Sequence, residues 1–164
     1  MSRARVSIVR CGSYERSEVK AAVRRAVELI GGAERFLPEA GGVLLKPNLL
    51  WASARERRVC TDPEVVRAAA ELLRDAGARE ISAGDSPGMG PGTKVMRRCG
   101  WDGVVPDWLR RVDFESGRPH PSPTHPDLEL AAAALDAGLL VNLPKVKTHA
   151  YMGLTLAVKN LFGC

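Results

Sequence analysis

The stretch TDPEVVRAAAELLRDAG, residues 61–77, decides the fold class, because it predicts one strongly amphipathic helix. Thr61 or Asp62 suits the N-cap, Pro63 suits the first turn and Gly77 suits the C-cap. The apolar residues recur at helical spacing and form one stripe along the helix. These signals agree on a helix that begins close to residue 62 and ends before residue 77.

Short apolar runs of strand length lie on both sides of this helix. GGVLLKPN (41–48) precedes it, REISAGDSPG (79–88) follows it, and a third run occupies residues 139–142. Strands that alternate with helices predict an α/β fold with a mainly parallel sheet flanked by helices. We expect a single α/β domain over residues 1–164.

The same reasoning assigns elements to the two ends of the chain. Residues 6–11 predict a first strand, and residues 14–32 predict a helix that ends at a pair of glycines. The last segment, GLTLAVKNLFG (153–163), predicts a final helix.

Composition restricts the class of protein. With 164 residues, 45% of them hydrophobic and 26% charged, the chain has the composition of a globular domain. It contains no apolar run near the ~18 residues that span a bilayer, and the apolar segment at its N-terminus is too short for a signal peptide. We therefore expect a cytoplasmic protein without membrane contact. The net charge of +5 suits an anionic ligand or partner.

The cysteines are scattered and form no metal-binding motif. No CxxC pair occurs, so neither a disulfide framework nor a zinc site is predicted. We expect free thiols at Cys11, Cys60, Cys99 and Cys164.

Lysine and asparagine are concentrated in a few segments. The chain has 18 arginines but only six lysines and three asparagines. Arginine serves equally well on a solvated surface, so clustered lysines indicate a site that needs a compact ammonium group or one able to lose its proton. The clustered residues are Lys46, Asn48, Asn142, Lys145, Lys147, Lys159 and Asn160.

These segments follow predicted strands. KPN, GDSPG and NLPKVKTH each come at the end of an apolar run, and ligands of open parallel sheets bind beyond the carboxyl ends of the strands. If KVKTH is extended, Lys145, Lys147 and His149 project to one side and Val146 and Thr148 to the other. One wall of a ligand site is therefore predicted at this edge.

Three residues are candidates for catalysis. His149 or a desolvated Lys147 would transfer a proton, while Asp85 would orient a lysine or ligate a divalent metal. The alternatives stay open: His149 as a hydrogen-bonded structural residue, and the Asp-Ser-Pro-Gly segment as a simple turn. We assign no metal ligands.

The remaining candidates would bind the ligand. Lysines would hold its anionic group, and asparagines would donate hydrogen bonds to developing oxyanion charge. The alternative is that these side chains cap strand ends and satisfy the loop backbone. The predicted ligand-binding residues are Lys46, Asn48, Ser86, Asn142, Lys145, Thr148, Lys159 and Asn160.

Five motifs in order give the chain a family resemblance. VLLKPNLL, TDPEVVRAAAELLRDAGA, GDSPG, VNLPKVKTH and LTLAVKNLFG resemble the motif set of the domain of unknown function 362 family, from residue 43 to the end. The resemblance covers the N-terminal and central portion of longer members, so the chain is either a complete family module or the front part of one. It also implies an association with [4Fe-4S] clusters in a downstream ferredoxin-like segment, whose cysteine motif this chain lacks.

Two functions follow as hypotheses. The first is an enzyme that acts on a small anionic metabolite, with proton abstraction beside a carboxylate and a redox step both open. The second is an electron-transfer or maturation accessory module that has a ferredoxin-like redox partner and no chemistry of its own. Nucleic-acid binding is disfavoured, because the arginines are spread over many segments and few aromatic residues are available for stacking.

Overall fold

A computed structural model describes residues 4–149, 151 and 153–164. The strands are β1 (Val43–Pro47), β2 (Ile81–Asp85), β3 (Arg110–Asp113), β4 (Gly117–Pro119), β5 (Glu129–Ala131), β6 (Leu139–Leu143), β7 (Lys147–His149) and β8 (Gly153–Thr155). The α-helices are α1 (Arg16–Leu29), α2 (Pro63–Asp75), α3 (Gly92–Arg98), α4 (Ala132–Asp136) and α5 (Ala157–Asn160).

The main sheet has four parallel strands in the order β3-β2-β1-β6. In its register Leu45 lies beside Ala83, and Lys46 lies beside Asn142. Because all four strands are parallel, their carboxyl ends meet at one edge of the sheet. This confirms the predicted α/β fold and brings the ends of KPN, GDSP and NLP together.

The hydrophobic core lies on one face of this sheet. Val43, Leu45, Ile81 and Ala83 alternate along the central strands and pack against apolar residues of α2 and α3. Every residue of β1 is buried, as expected for a central parallel strand covered on both faces. Lys46 follows Leu45 and therefore projects to the opposite face.

Helix α2 agrees closely with the prediction. The Asp62 carboxylate caps it by accepting a hydrogen bond from the Glu64 backbone amide at 2.9 Å, with Pro63 in the first turn. Gly77, after the helix, has a φ of 108°, a value that favours glycine. Ion pairs from Lys20 and Arg24 to the acids of α2 join α1 to its exposed side.

Two predictions at the chain ends are wrong. Residues 6–11 form no strand: Val6 and Ile8 are 83% and 92% exposed, since the edge strands of the sheet are β3 and β6 and neither pairs with this segment. Residues 153–163 do not form one helix, because their first part pairs with β7 as antiparallel strand β8. Helix α5 begins only at Ala157.

The described residues contain no helix that is both long and apolar enough to cross a membrane.

Candidate functional site

A buried ion pair lies at the carboxyl edge of the sheet. Lys46 at the end of β1 is fully buried, and its Nζ bonds to Asp85 Oδ1 at the end of β2. Asp85 Oδ2 accepts a hydrogen bond from the Leu49 amide at 2.6 Å. Burial raises the pKa of the Asp85 carboxyl, and the positive charge of Lys46 opposes that shift. A Cβ at Gly163 would lie 3.0 Å from Asp85 Oδ1, so the C-terminal segment closes over the pair.

Asn160 ties the neighbouring strand ends together. Its Nδ2 group donates to the backbone oxygens of Lys46 and Pro47, at 3.2 and 3.3 Å, and to Asn142 Oδ1 at 2.7 Å. Asn142 in turn donates to the Ala157 carbonyl at 2.9 Å. The Oδ1 atom of Asn160 is buried and accepts no hydrogen bond in the described structure. Four predicted site residues, Lys46, Asp85, Asn142 and Asn160, therefore share one network.

Lys147 and Asn48 form a second group at the same edge. Lys147 Nζ donates to Asn48 Oδ1 at 2.6 Å and to the Val59 carbonyl at 2.8 Å. The backbone amide of Asn48 donates to Thr61 Oγ1, and the Thr61 hydroxyl donates to the Leu143 carbonyl. These two hydrogen bonds hold Asn48 in place. Thr61 thus joins the ends of β1 and β6 to the loop before α2.

Lys145 lies beside this group and contacts the N-terminal segment. Its Nζ donates to the Tyr14 hydroxyl at 2.7 Å. Burial alternates after β6 as the sequence predicts, with Lys145, Lys147 and His149 half-buried and the intervening Val146 and Thr148 exposed. The two lysines therefore face inward from one extended segment.

The other predicted site residues lie at the periphery. Ser86 and Thr148 are exposed. Lys159 lies over the Phe162 ring at 5.2 Å. His149 Nδ1 accepts a hydrogen bond from the Tyr151 amide at 3.2 Å within the β7–β8 hairpin. Ser86 is still joined to the buried pair, because its backbone hydrogen bond lowers the pKa of the Asp85 carboxyl. The charge of Lys159 acts on Lys147.

The electrostatics of this edge centre on Lys147. Burial lowers its pKa from the usual 10.5, and the positive charges of Lys145 and Lys159 lower it further. The negative charges of Cys60 and Asp85 act in the opposite direction. Since Asp85 is already paired with Lys46, the half-buried lysines carry an excess of positive charge.

The described residues do not fit an iron-sulfur cluster. A [4Fe-4S] cluster requires four thiolates around one site. Within residues 4–149, 151 and 153–164, no group of three or more histidines, cysteines and acids is arranged to hold a metal ion. The iron-sulfur association stays a prediction that rests on the resemblance.

Sequence reasoning missed several contributors to the site. Thr61 was recognised only as a helix cap, although its hydroxyl links two strand ends. Tyr14 and Gly163 carry no local signal for a role at this edge. A large cleft of about 1440 Å³ adjoins this edge at Tyr14. It lies between residues 7–16, the loop of residues 55–58 and helices α1 and α2, and its lining mixes acids with arginines.

Comparison with known proteins agrees with the motifs. The family described as "Domain of unknown function (DUF362)" matches residues 43–164. A thylakoid-associated protein of Synechocystis sp. is 39% identical over 161 residues, which make up 97% of this chain and 50% of that protein. The chain thus spans about half the length of this curated relative. No solved structure gives a significant match. A cytoplasmic location stays a prediction, since the relative is described by its association with thylakoids.

Proposed function

The chain belongs to the DUF362 family, and on that premise we propose that it binds a small anionic ligand, a carboxylate or a phosphate, and moves a proton at the carboxyl edge of its sheet. The proposal concerns the part of the family module that this chain contains. The single observation that supports it best is the excess of positive charge at this edge, where Lys145, Lys147 and Lys159 face one opposing charge, that of Cys60, besides the Asp85 carboxylate already paired with Lys46.

The positive charges at this edge favour an anionic ligand. Bringing Lys147 close to Lys145 and Lys159 costs free energy, because like charges repel and partial burial weakens solvent screening. The nearby carboxylate, Asp85, is engaged with Lys46. An anion beside Lys145 and Lys147 would offset this repulsion, and perturbed ionisable groups of this kind concentrate in ligand sites.

Lys147 is also the best candidate for proton transfer. Its lowered pKa leaves a larger neutral fraction near physiological pH than an ordinary lysine has, so it can act as a base. The bond to Asn48 Oδ1 fixes its Nζ group, and Asn48 is itself held by Thr61. The buried Lys46–Asp85 pair supports the ends of β1 and β2 behind this group. His149 stays the alternative base, at the outer end of the same segment.

A thermal-shift screen against small carboxylates and phosphorylated metabolites tests the proposal. A ligand that binds only the folded state raises the Tm as its concentration exceeds its Kd. We expect at least one class to stabilise the native protein and to lose this effect in the Lys145→Ala/Lys147→Ala variant.

The matched control is Lys20→Ala/Arg24→Ala, which removes the same charge from the surface between α1 and α2. This control should retain the ligand-induced rise in Tm. If both variants lost the ligand-induced rise in Tm equally, the anion would be held only by the general positive charge of the protein. A cooperatively melting native protein that no anion stabilises would contradict the proposal.

A further inference from the structure

Two cysteines that are far apart in sequence lie together in the core. Cys60 precedes α2 and Cys99 follows α3, and they are only 6% and 3% exposed. Both thiols point at one acceptor, the Trp51 carbonyl oxygen, at 3.8 Å from Cys60 Sγ and 3.9 Å from Cys99 Sγ. The two side chains are close enough for each to shift the pKa of the other. Both are free, so the pair is a dithiol.

A small cavity adjoins this pair. Its volume of about 10 Å³ matches a single water-sized molecule. Cys60 and Cys99 line it together with Arg58, Lys145 and the Arg55–Asp62 ion pair. Arg58 is exposed, so the cavity lies close to the protein surface.

The surroundings favour the thiolate of Cys60. Interaction with the Cys99 side chain lowers the pKa of Cys60 to about 6, and the Leu50 and Trp51 backbone and the charge of Lys147 lower it as well, against the effect of burial. Interaction with Cys60, together with burial, raises the pKa of Cys99. One thiol of the pair is therefore the nucleophile and the other remains protonated beside it.

We propose that Cys60 and Cys99 form a peroxide-reactive dithiol that closes to a reversible disulfide. The small volume of the cavity selects a small oxidant such as hydrogen peroxide over a bulky organic disulfide. This site adjoins the proposed anion site, because Lys145 borders both and the charge of Lys147 acts on Cys60.

The chemistry takes place in two balanced steps. First, the Cys60 thiolate attacks one oxygen of hydrogen peroxide, the O–O bond breaks, and Cys60 sulfenic acid forms with a hydroxide that takes up a proton to become water. Second, the sulfur of Cys99 attacks the sulfenic sulfur as Cys99 gives up its proton, the S–O bond breaks and a second water leaves. Together, two thiols are oxidised to one disulfide and one peroxide is reduced to two waters.

Peptide mapping of the full chain tests this directly. Trypsin places the four cysteines on separate peptides, with Cys11 on 11–16, Cys60 on 59–67, Cys99 on 99–110 and Cys164 on 160–164. Reduced protein is treated with hydrogen peroxide, alkylated in denaturant and digested, and mass spectrometry then follows each peptide. No variant is needed, so misfolding of a variant cannot confuse the result.

We expect a linked 59–67/99–110 pair that disappears on reduction. It should form roughly tenfold faster than exposed Cys11 loses its thiol, because the lowered pKa of Cys60 favours its reactive thiolate. Recovery of both peptides as alkylated thiols at a dose that oxidises Cys11 would overturn the proposal. Glutathione disulfide should leave Cys60 unmodified, and rapid glutathionylation there would overturn the assignment of a small oxidant.

Two single variants separate the roles of the cysteines. In Cys99→Ser, dimedone should trap a sulfenic acid on peptide 59–67, since the resolving thiol is gone. In Cys60→Ser, Cys99 should stay reduced. Dimedone labelling of Cys99 in that variant would reverse the assigned roles and contradict the mechanism. Cys11→Ser serves as the matched control and should form the linked pair at the native rate.

Discussion

At the scale of single residues, the most informative position is Lys46, a lysine with no exposure at the end of the central strand. A buried ammonium is tolerated only when it is paired, and Asp85 is its partner. We predict that Asp85→Asn lowers the free energy of unfolding by about 3–5 kcal/mol, since the buried cation is left without its counter-charge. Urea denaturation measures this change.

A second substitution distinguishes lost pairing from lost packing. Lys46→Met removes the charge while keeping a long side chain, so Lys46→Met/Asp85→Asn should regain most of the stability that Asp85→Asn loses. The asparagine can still accept the hydrogen bond from the Leu49 amide. A double variant as unstable as Asp85→Asn would show that the loss does not come from the unpaired charge.

Lys147 gives the anion site a dependence on pH. Its pKa lies below the usual 10.5, so its positive charge is present at low pH and is lost as pH rises through that lowered value, earlier than for an ordinary lysine. Affinity for a dicarboxylate, measured by isothermal titration, should therefore fall between neutral pH and pH 10. Lys147→Arg keeps its charge over this range and should bind with little pH dependence. An equally steep fall in that variant would place the titrating group elsewhere.

At the scale of elements, the site depends on how the loop before α2 is tied to two strands. Thr61 Oγ1 accepts from the Asn48 amide at 2.9 Å and donates to the Leu143 carbonyl at 2.7 Å. Thr61→Val keeps the shape of the side chain but leaves the Asn48 amide and the Leu143 carbonyl without their hydrogen-bond partner. We predict a loss of about 1–3 kcal/mol in the free energy of unfolding.

The matched control is Thr148→Val on the exposed side of β7. It makes the same chemical change at the surface and should alter stability by less than about 0.5 kcal/mol. Similar losses in the two variants would contradict the structural role assigned to Thr61.

Local sequence patterns correctly predicted the helix and the strands whose capping residues and apolar runs lie where the pattern requires them. Helix α2 carries its own cap, its first-turn proline and a glycine after its end. The apolar runs of β1, β2 and β6 pair as neighbouring strands of the main sheet. Residues 6–11 carry the same apolar pattern but find no partner strand, and a local pattern does not encode pairing. Residues 153–155 were predicted to be helical but form strand β8, because β7 lies beside them and provides the partners for their backbone hydrogen bonds.

The candidate site was predictable in part. Parallel topology alone placed the ends of the three motif-bearing strands at one edge, so the proximity of Lys46, Asp85 and Asn142 followed from sequence. Which lysine would be buried in an ion pair and which would stay half-exposed depends on packing by distant segments, including Gly163. The approach of Cys60 to Cys99 likewise depends on how α2 and α3 pack on the same face.

At the scale of the whole molecule, the charge distribution sets this edge apart. Most cations are arginines, several of them in surface ion pairs with acids of their own or neighbouring helices. Four of the six lysines, Lys46, Lys145, Lys147 and Lys159, instead lie at the ends of the sheet strands or in the segments that follow β6. The net charge of +5 would attract anions to any face of the protein. Evidence for a specific site must therefore show which residues the anion contacts.

The most direct test of the anion site uses the scarcity of lysine. Six lysines give six resolvable signals in a protein labelled at the lysine side-chain carbon beside the amine, and NMR titration from pH 8 upward yields a pKa for each. We predict that the pKa of Lys147 lies below the usual 10.5. Inorganic phosphate should raise that pKa and shift the Lys145 signal while leaving the signals of Lys20 and Lys94 unchanged. Equal phosphate effects on all six lysines, or none on Lys145 and Lys147, would contradict an anion site at the carboxyl edge of the sheet.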